Sequence, residues 1–408
     1  MNIGISTSVI QRGKTGIAGY VFALLRAFQP HSEGNRFTIF ALEEDLPLLA
    51  FVREYMDVVT VSERYRAPIA DIVWHQTVLP RLARHHELDV MHVPSYRRLC
   101  WRAPCALVGT VHDLAAFHVT NKYDWKRMFY GRVVAAKLAH RQDGLIAVSE
   151  NTARDIAKFW KIAPELLTVI HHGIDRERFT AENRDAARLA CHSRFDLAKP
   201  FFLYVARLEH PAKNHVPLIH AFERFKAETS SPWDLVFAGS DWHGAEQIHR
   251  AIESSPVRRD IRSLGFVRDA ELPMLYRGAQ VFVYPSLHEG FGFPPLEAMA
   301  SGCPVLCSTR GALGEIVGDA ALTVDPTDVI AMSTQLKQLA SDESLRESLR
   351  QRGLSRAVQF DWDRAAKQTL AVYARAIERA AFRRKGTDRE IATQSSPSPA
   401  PALPKHLS

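Results

Sequence analysis

Cysteine is scarce in this sequence, and no cysteine lies in a pattern that suits a structural role. The five cysteines among 408 residues stand at positions 100, 105, 191, 303 and 307. An odd and sparse set argues against a disulfide framework. Neither of the two close pairs has a second pair or a histidine couple at zinc-ligand spacing, so the sequence predicts no bound metal.

Long apolar runs are also absent, although 46% of the residues are hydrophobic. None approaches the roughly 20 residues that a membrane-spanning helix needs. The first residues, MNIGISTSVIQRGKTG, enter a strand and do not resemble a secretory signal. We therefore expect a globular protein of two ordinary domains that stays in the cytosol.

Positive charge exceeds negative charge, with a formal net charge of +7. Much of the excess falls in the first third of the chain, at Arg64, Arg66, Arg81, Arg84, Arg97, Arg98, Arg102, Lys122, Lys126, Arg127 and Arg132. No nucleic-acid-binding motif accompanies these residues, so we expect no nucleic-acid partner. They form either a basic face that binds an anionic membrane surface or an ordinary solvated surface.

Hydrophobic patterning predicts two α/β domains. Short apolar runs alternate with helical patterns from NIGIS to LLTVIHHG, and again from FFLYVARL to AALTVDP. This order predicts two doubly wound, Rossmann-like parallel sheets with helices on both faces and a cleft between the domains. The predicted domains span 1–180 and 200–360.

Three further segments complete the predicted organisation. The charged stretch 181–199 loses the strand periodicity and is predicted to be a linker. Residues 361–384 form a long amphipathic pattern, and we expect this helix to pack back toward the first domain. The polar, Pro- and Ser-rich residues 385–408 are predicted to be disordered.

Two glutamates lie in a nearly uncharged stretch, HEGFGFPPLEAMASGCPVL, at 288–306. Glu289 stands in a glycine-rich turn after the buried run VFVYPS. The two prolines that follow are tolerated only in a first helical turn, which predicts a helix over 294–301 with Glu297 near its start. Loops at this position, after a strand of an open α/β sheet, are where such sheets bind ligands.

The chemistry of this loop favours a ligand that carries both phosphate and hydroxyl groups. Gly290 and Gly292 allow close approach of the backbone, and the helix start offers N–H groups to a phosphate or sugar oxygen. An acid beside a phosphate is unfavourable, so Glu289 and Glu297 are predicted to accept hydrogen bonds from hydroxyl groups. A nucleotide sugar has both kinds of group.

Other loops are predicted to face the same cleft. Arg207 and Lys213 lie between the first strand and the first helix of the second domain, where both cations can reach one anion. QRGKTGIAGY fails as a P-loop because Ser8 stands where a glycine is needed. Its glycines 13, 16 and 19 form either a pyrophosphate-binding turn or a plain glycine turn.

Further strand ends carry polar residues. His112 and Asp113 follow the run ALVGTV, and Ser149, Asn151 and His172 follow two later runs. A histidine at such a position is either a ligand-facing group or a satisfied structural residue.

These motifs together resemble the retaining nucleotide-sugar glycosyltransferases of family four, which have the two-domain GT-B fold. The resemblance is densest from LGFVRDAELPMLYRGAQ to AALTVDP, continues through ARLEHPAKN, VIHHGIDRERF, GTVHD and FDWDRAA, and covers most of the chain up to about residue 380. The Glu-x7-Glu pair around Gly-Phe-Gly is specific in this setting. Gly314, and the pair His171 and His172, depart from the commonest family pattern.

The resemblance implies a role for each site residue. Glu289 lies by the donor sugar, Glu297 binds the ribose hydroxyls, and Arg207 and Lys213 neutralise the diphosphate leaving group. The remaining implied contacts to the donor come from the main chain of Gly290, Phe291, Gly292 and Phe293, from the N–H of Gly16, and from His112 in the sugar pocket. The family works without a bound metal or other cofactor, and it retains the anomeric configuration.

Several functions remain open on the sequence alone. We favour transfer of mannose from GDP-mannose to a glycan or lipid-linked acceptor in surface polysaccharide synthesis, because the EGFGFPPLEAMASG stretch resembles bacterial mannosyltransferases. A UDP- or ADP-linked hexose such as glucose is the alternative donor. A catalytically inactive GT-B scaffold that binds a glycan or an assembly partner is the alternative from another class.

Overall fold

The computed structural model describes residues 1–13, 16–118 and 128–394, the last ten as backbone only. The first domain contains seven strands, β1 Asn2–Ser6, β2 Arg36–Leu42, β3 Asp57–Val61, β4 Val90–Val93, β5 Ala106–Val111, β6 Gly144–Ala147 and β7 Leu167–Val169. They form one parallel sheet in the order β3-β2-β1-β4-β5-β6-β7.

The second domain contains a six-stranded parallel sheet in the order β10-β9-β8-β11-β12-β13. Its strands are β8 Phe201–Val205, β9 Asp234–Ala238, β10 Ile261–Ser263, β11 Val281–Tyr284, β12 Val305–Ser308 and β13 Leu322–Val324. Most of these strands are almost wholly buried, as expected for parallel strands covered on both faces. The predicted pair of doubly wound sheets is therefore confirmed.

Helices connect successive strands. Those of the first domain are Gly16–Ala27, Pro68–Thr77, Leu79–His85, Ala135–Ala139 and Glu150–Asp155. Those that follow are Arg184–Phe195, His215–Thr229, Ala245–Ser254, Leu272–Gly278, Phe293–Ala300, Leu313–Val317, Val329–Ser341, Glu343–Ala357 and Trp362–Gln394. Within the described residues, no helix has both the length and the apolar character needed to cross a bilayer.

The stretch predicted to be a linker instead contains the helix Arg184–Phe195, which packs on Leu272–Gly278. Ala187 and Cys191, one turn apart, are buried on its inner face. The approach is close, because a Cβ on Gly278 would lie 2.5 Å from the Cys191 sulfur. The sequence did not reveal this helix because its charged outer face masks a narrow apolar stripe.

The last helix returns to the first domain and covers its sheet. Val372, Tyr373 and Ala376 belong to the same buried cluster as residues of β1, β4 and β5. The Tyr373 hydroxyl is hydrogen-bonded to Nδ1 of His92 at 2.7 Å. Gly173 lets the start of this helix lie close to the first domain, because a Cβ at position 173 would lie 2.4 Å from the backbone nitrogen of Trp362.

The backbone of this helix continues to Gln394, beyond its predicted end at 384. The first part of the predicted disordered tail, 385–394, is thus helical. No proline lies between the start of this helix at Trp362 and Pro397, so nothing in that segment forces the helix to end earlier. Residues 395–408 of that predicted tail lie outside the described residues.

Candidate active site

Lys213 and Glu289 form an ion pair at the carboxyl end of the second sheet. The Lys213 Nζ atom lies 2.6 Å from Oε1 of Glu289, and each side chain is 18% exposed. The Tyr284 hydroxyl donates to the same carboxylate oxygen at 3.0 Å. Burial lowers the pKa of Lys213, but Glu289 and neighbouring groups outweigh burial and leave that pKa above its ordinary value. The lysine therefore remains a cation in the site.

Arg207 does not share this arrangement. Its guanidinium lies 4.5 Å above the Trp242 ring and 3.4 Å from a carboxylate oxygen of Glu209, and its side chain is 51% exposed. The two predicted cations therefore lie after the same strand but contact different partners. An exposed arginine on a flexible stem can reorient toward an anion at small cost, whereas Lys213 must exchange one partner for another.

Gly290 brings the loop of Glu289 against the first domain. A Cβ on Gly290 would lie 1.7 Å from the carbonyl oxygen of His112, so this position admits glycine alone without a backbone shift. The Gly290 carbonyl accepts hydrogen bonds from Ser149 Oγ at 2.8 Å and Thr152 Oγ1 at 3.3 Å. The glycine that was predicted to permit approach of a ligand permits, in this structure, approach of the opposite domain.

His112 is held in one orientation beneath this contact. Its Nε2 atom lies 3.0 Å from the Pro94 carbonyl, which can only accept, so Nε2 carries the proton and Nδ1 the lone pair. Burial lowers the pKa of His112 to about 4. The imidazole is therefore neutral at physiological pH. It can accept, but not donate, a hydrogen bond through Nδ1.

Phe291 and Phe293 pack into an aromatic cluster between the domains. The His172 ring lies 4.6 Å from the Phe291 ring and stacks on Phe293 at 5.0 Å with 2° between the planes. Tyr20 and Trp362 contact the same histidine. The rings are thus occupied by packing, and the contact to the donor that the resemblance implies for these two residues is a main-chain contact. Sequence patterns did not identify Tyr20 or Trp362 as part of the site.

Glu297 lies in the first turns of the helix Phe293–Ala300, which begins one residue earlier than predicted. The Tyr276 hydroxyl donates to its Oε2 atom at 2.8 Å. Burial raises the pKa of Glu297 to about 7, because the single tyrosine and the more distant Arg178 offset only part of the desolvation. The described residues therefore supply the Glu297 carboxylate with too few hydrogen bonds to offset its burial. A pair of ligand hydroxyls would supply further hydrogen bonds.

Glu315, which the sequence did not single out, joins the two domains. Its two carboxylate oxygens accept hydrogen bonds from the backbone N–H groups of Glu150, at 2.8 Å, and Asn151, at 3.0 Å. Nε2 of His171 lies 2.6 Å from one of these oxygens. Burial raises the pKa of Glu315, but the three hydrogen bonds lower it by more, so the pKa stays below its ordinary value. The acid of one domain thus caps a helix of the other.

Gly16 and Gly19 lie at an open surface of the first helix. Gly16 begins the helix Gly16–Ala27, and a Cβ built on Gly16 or Gly19 would have no neighbour within 4 Å among the described residues outside the adjoining backbone. Gly13 has φ +76°, a conformation that favours glycine. The contact between the N–H of Gly16 and a phosphate, which the resemblance implies, stays a prediction.

All five cysteines are buried and free in the structure. The predicted absence of disulfides is therefore confirmed.

Two family models match the chain. Residues 14–178 match Glycosyltransferase Family 4, and residues 191–356 match Glycosyl transferases group 1. The two matches fall on the first and the second domain.

Curated relatives include two mannosyltransferases of Escherichia coli. O-antigen chain mannosyltransferase B is 32% identical over 267 residues, which are 65% of this chain and 69% of the relative. Serotype-specific mannosyltransferase WbdA is 29% identical over 314 residues, which are 76% of this chain and 37% of that longer protein. The chain thus spans about a third of WbdA.

A solved structure shows the same fold. Anabaena Alr3699/HepE in complex with UDP-glucose matches 92% of this chain and 99% of its own, with a TM-score of 0.73 and 19% identity. The chain therefore belongs to glycosyltransferase family 4, within the glycosyl transferases group 1, and is a hexosyltransferase with the GT-B fold.

Proposed function

We propose that the chain transfers mannose from GDP-mannose to a glycan or lipid-linked acceptor during surface polysaccharide assembly. The similarity to O-antigen chain mannosyltransferase B supports the sugar and the acceptor class. The observation that carries the mechanism is the Lys213–Glu289 ion pair between the two sheets. Family membership argues against the inactive scaffold that the sequence left open.

The reaction breaks the bond between the anomeric carbon and the diphosphate oxygen, and the bonding electrons leave with the diphosphate. Lys213, a buried cation, is the group best suited to stabilise that developing negative charge. Arg207 reaches the same anion only after leaving Trp242. The acceptor hydroxyl attacks from the face that the diphosphate leaves, which retains the configuration. The departing phosphate takes the acceptor proton.

Glu289 and Glu297 serve opposite ends of the donor in this proposal. Glu289, on the loop between the domains, meets a sugar hydroxyl whose bonding tightens as the ring gains positive charge. Glu297, set back on the helix, accepts hydrogen bonds from the ribose hydroxyls, which offset the cost of its burial. Gly16 adds an N–H group to the phosphate, and His112 accepts a sugar hydroxyl through Nδ1. We propose that no metal ion takes part in the bond-breaking step.

A second donor class rests on the structural likeness to a protein solved with UDP-glucose. We therefore test GDP-mannose, UDP-glucose and ADP-glucose in parallel. Release of nucleoside diphosphate should be fastest with GDP-mannose. It should be unchanged within about twofold by EDTA, because Lys213 and Arg207 supply the positive charge that a metal supplies elsewhere. A preference for UDP-glucose would replace the proposed donor, and loss in EDTA with recovery in Mn²⁺ would contradict the metal-free step.

Substitution of the two glutamates separates their roles. Glu289→Gln should lower kcat without raising donor KM, since the lost contact forms mainly in the transition state. Glu297→Gln should chiefly raise donor KM by roughly tenfold, the equivalent of losing one hydrogen bond to a charged group. Both variants should melt within a few degrees of the wild type. Near wild-type kinetics in both would remove the proposed roles, and the reverse pattern would exchange the two ends of the donor.

We also propose that one face of the first domain contacts an anionic membrane, where a lipid-linked acceptor would lie. Ile69 and Val73, one turn apart on the helix Pro68–Thr77, are 79% and 49% exposed. Gln76, on the same face, accepts from the backbone N–H of Trp101, which brings another exposed apolar side chain beside them. This apolar strip is the surface that we expect to enter the membrane interface.

The charge beside this strip is smaller than the sequence indicated. Arg66 is paired with Asp45 and Glu63, and Arg98 with Asp71. Arg64, Arg81, Arg84, Arg102 and Arg132 are exposed. Lys122, Lys126 and Arg127 lie outside the described residues. Exposed arginines in this number suffice for reversible binding at about 1 kcal/mol each when they lie near the membrane surface.

Sedimentation with vesicles tests the membrane contact. The wild type should bind vesicles that contain anionic lipid at low salt, and it should bind much less at high salt. The double variant Ile69→Glu, Val73→Glu should lose this binding. Ile330→Glu, at an apolar residue of the second domain whose exposure lies between those of Ile69 and Val73, is the control and should bind as the wild type does. Binding that is equal on neutral vesicles, or absent at any salt, would contradict the proposal.

A further inference from the structure

Three side chains with metal-binding atoms meet beside the catalytic loop. His118 follows β5, Asp155 ends the helix Glu150–Asp155, and His288 directly precedes Glu289 in the second domain. One ligand atom from each residue lies within 4.8 Å of the others. In the part of the chain that the structure describes, this is the one group of three such residues with that geometry.

The internal contacts of this cluster leave one nitrogen unused. Nε2 of His118 lies 2.7 Å from Oδ2 of Asp155, and the rings of His118 and His288 stack at 4.3 Å with 14° between their planes. Nε2 of His288 has no hydrogen-bond partner among the described residues, although His288 is only 6% exposed. Buried polar atoms are nearly always paired, so an unpaired one beside two other ligand groups points to a missing partner.

The position of His288 suits a metal ligand. Its unpaired Nε2 atom lies beside a carboxylate and a second imidazole, both of which carry metal-binding atoms. The alternative partner, a water molecule, would satisfy one nitrogen but would not explain why a carboxylate and a second imidazole are gathered around it.

We propose that His118, Asp155 and His288 bind a divalent transition metal of the zinc type and thereby link the two domains. Two imidazoles and one carboxylate are a donor set that zinc accepts, with a fourth position left for water or a hydroxyl group. Mg²⁺, which prefers oxygen ligands, would not compete effectively. The expected absence of a metal rested on spacing along the chain and on the family resemblance, whereas these three ligands come from distant segments.

The three ligands come from both domains, because His288 belongs to the second domain and His118 and Asp155 belong to the first. Tetrahedral zinc with bonds of about 2.0–2.1 Å holds its ligand atoms about 3.3 Å apart. The hydrogen bond between His118 and Asp155, 2.7 Å long, is therefore exchanged for metal bonds, and the two stacked imidazole rings must rotate so that both face the ion.

Calorimetric titration of ZnCl₂ into the full chain, freed of metal with EDTA and then desalted, tests the site. The wild type should bind one equivalent, and its melting temperature should rise with Zn²⁺ and not with Mg²⁺. His288→Ala and Asp155→Asn should each weaken Zn²⁺ binding by roughly tenfold or more and abolish the rise. Neither readout depends on sugar transfer, so failure here is distinct from failure of the proposed function.

A matched control separates this site from ordinary surface binding. His249 lies 2.9 Å from Asp241 in an exposed pair with the same ligand types but without a third ligand. His249→Ala should bind Zn²⁺ as the wild type does. Melting curves without metal show whether each variant is folded. One folded variant, either His288→Ala or Asp155→Asn, is sufficient for the test. Wild-type protein that binds no Zn²⁺, or a folded His288→Ala or Asp155→Asn that binds it undiminished, overturns the proposal.

Discussion

The site depends on the contact between the Glu289 loop and the first domain. At Gly290 the backbone lies so close to His112 that a methyl group in place of hydrogen would overlap a carbonyl oxygen. Ser149 and Thr152 hold the Gly290 carbonyl from the first domain, and Glu315 caps the helix that carries Thr152. The aromatic cluster around His172 fills the space behind this contact. A loop of one domain is thus positioned by groups of the other.

The position of this loop also sets the charge distribution in the cleft. Lys213 and Glu289 are both largely removed from water, and each is stabilised by the other while no donor is bound. In the proposed mechanism, a donor diphosphate offers Lys213 a second anion, and the partial release of Glu289 leaves its carboxylate available to a sugar hydroxyl. Donor binding would then also prepare the loop that carries Glu289.

The sequence predicted those features that depend on local pattern. Buried strands reveal themselves as short apolar runs, and paired prolines mark a helix start, so the sheets and the helix of Glu297 were identified. The helix Arg184–Phe195 was missed because its buried stripe is narrow. Glu315 and the partners of Arg207 were missed for another reason. A surface acid that caps a helix of the other domain has the same local sequence as one that faces water.

The roles of individual residues were even less accessible to pattern. Phe291 and Phe293 lie in a glycine-rich loop that typically faces a ligand, yet their rings pack on His172. The three metal-binding side chains come from three separate segments and both domains. Such groupings arise only when loops of the two domains meet, and the sequence holds no periodic signal of that contact.

If Glu289 occupies Lys213 until a diphosphate arrives, removing the Glu289 charge should strengthen nucleotide binding. GDP, with UDP in parallel, is titrated by calorimetry into the wild type and into Glu289→Gln. Glu289→Gln should bind the nucleoside diphosphate threefold to tenfold more tightly, about 0.7 to 1.4 kcal/mol, because one negative charge is removed and Lys213 is released. Unchanged or weaker binding by Glu289→Gln would show that the ion pair does not restrain Lys213.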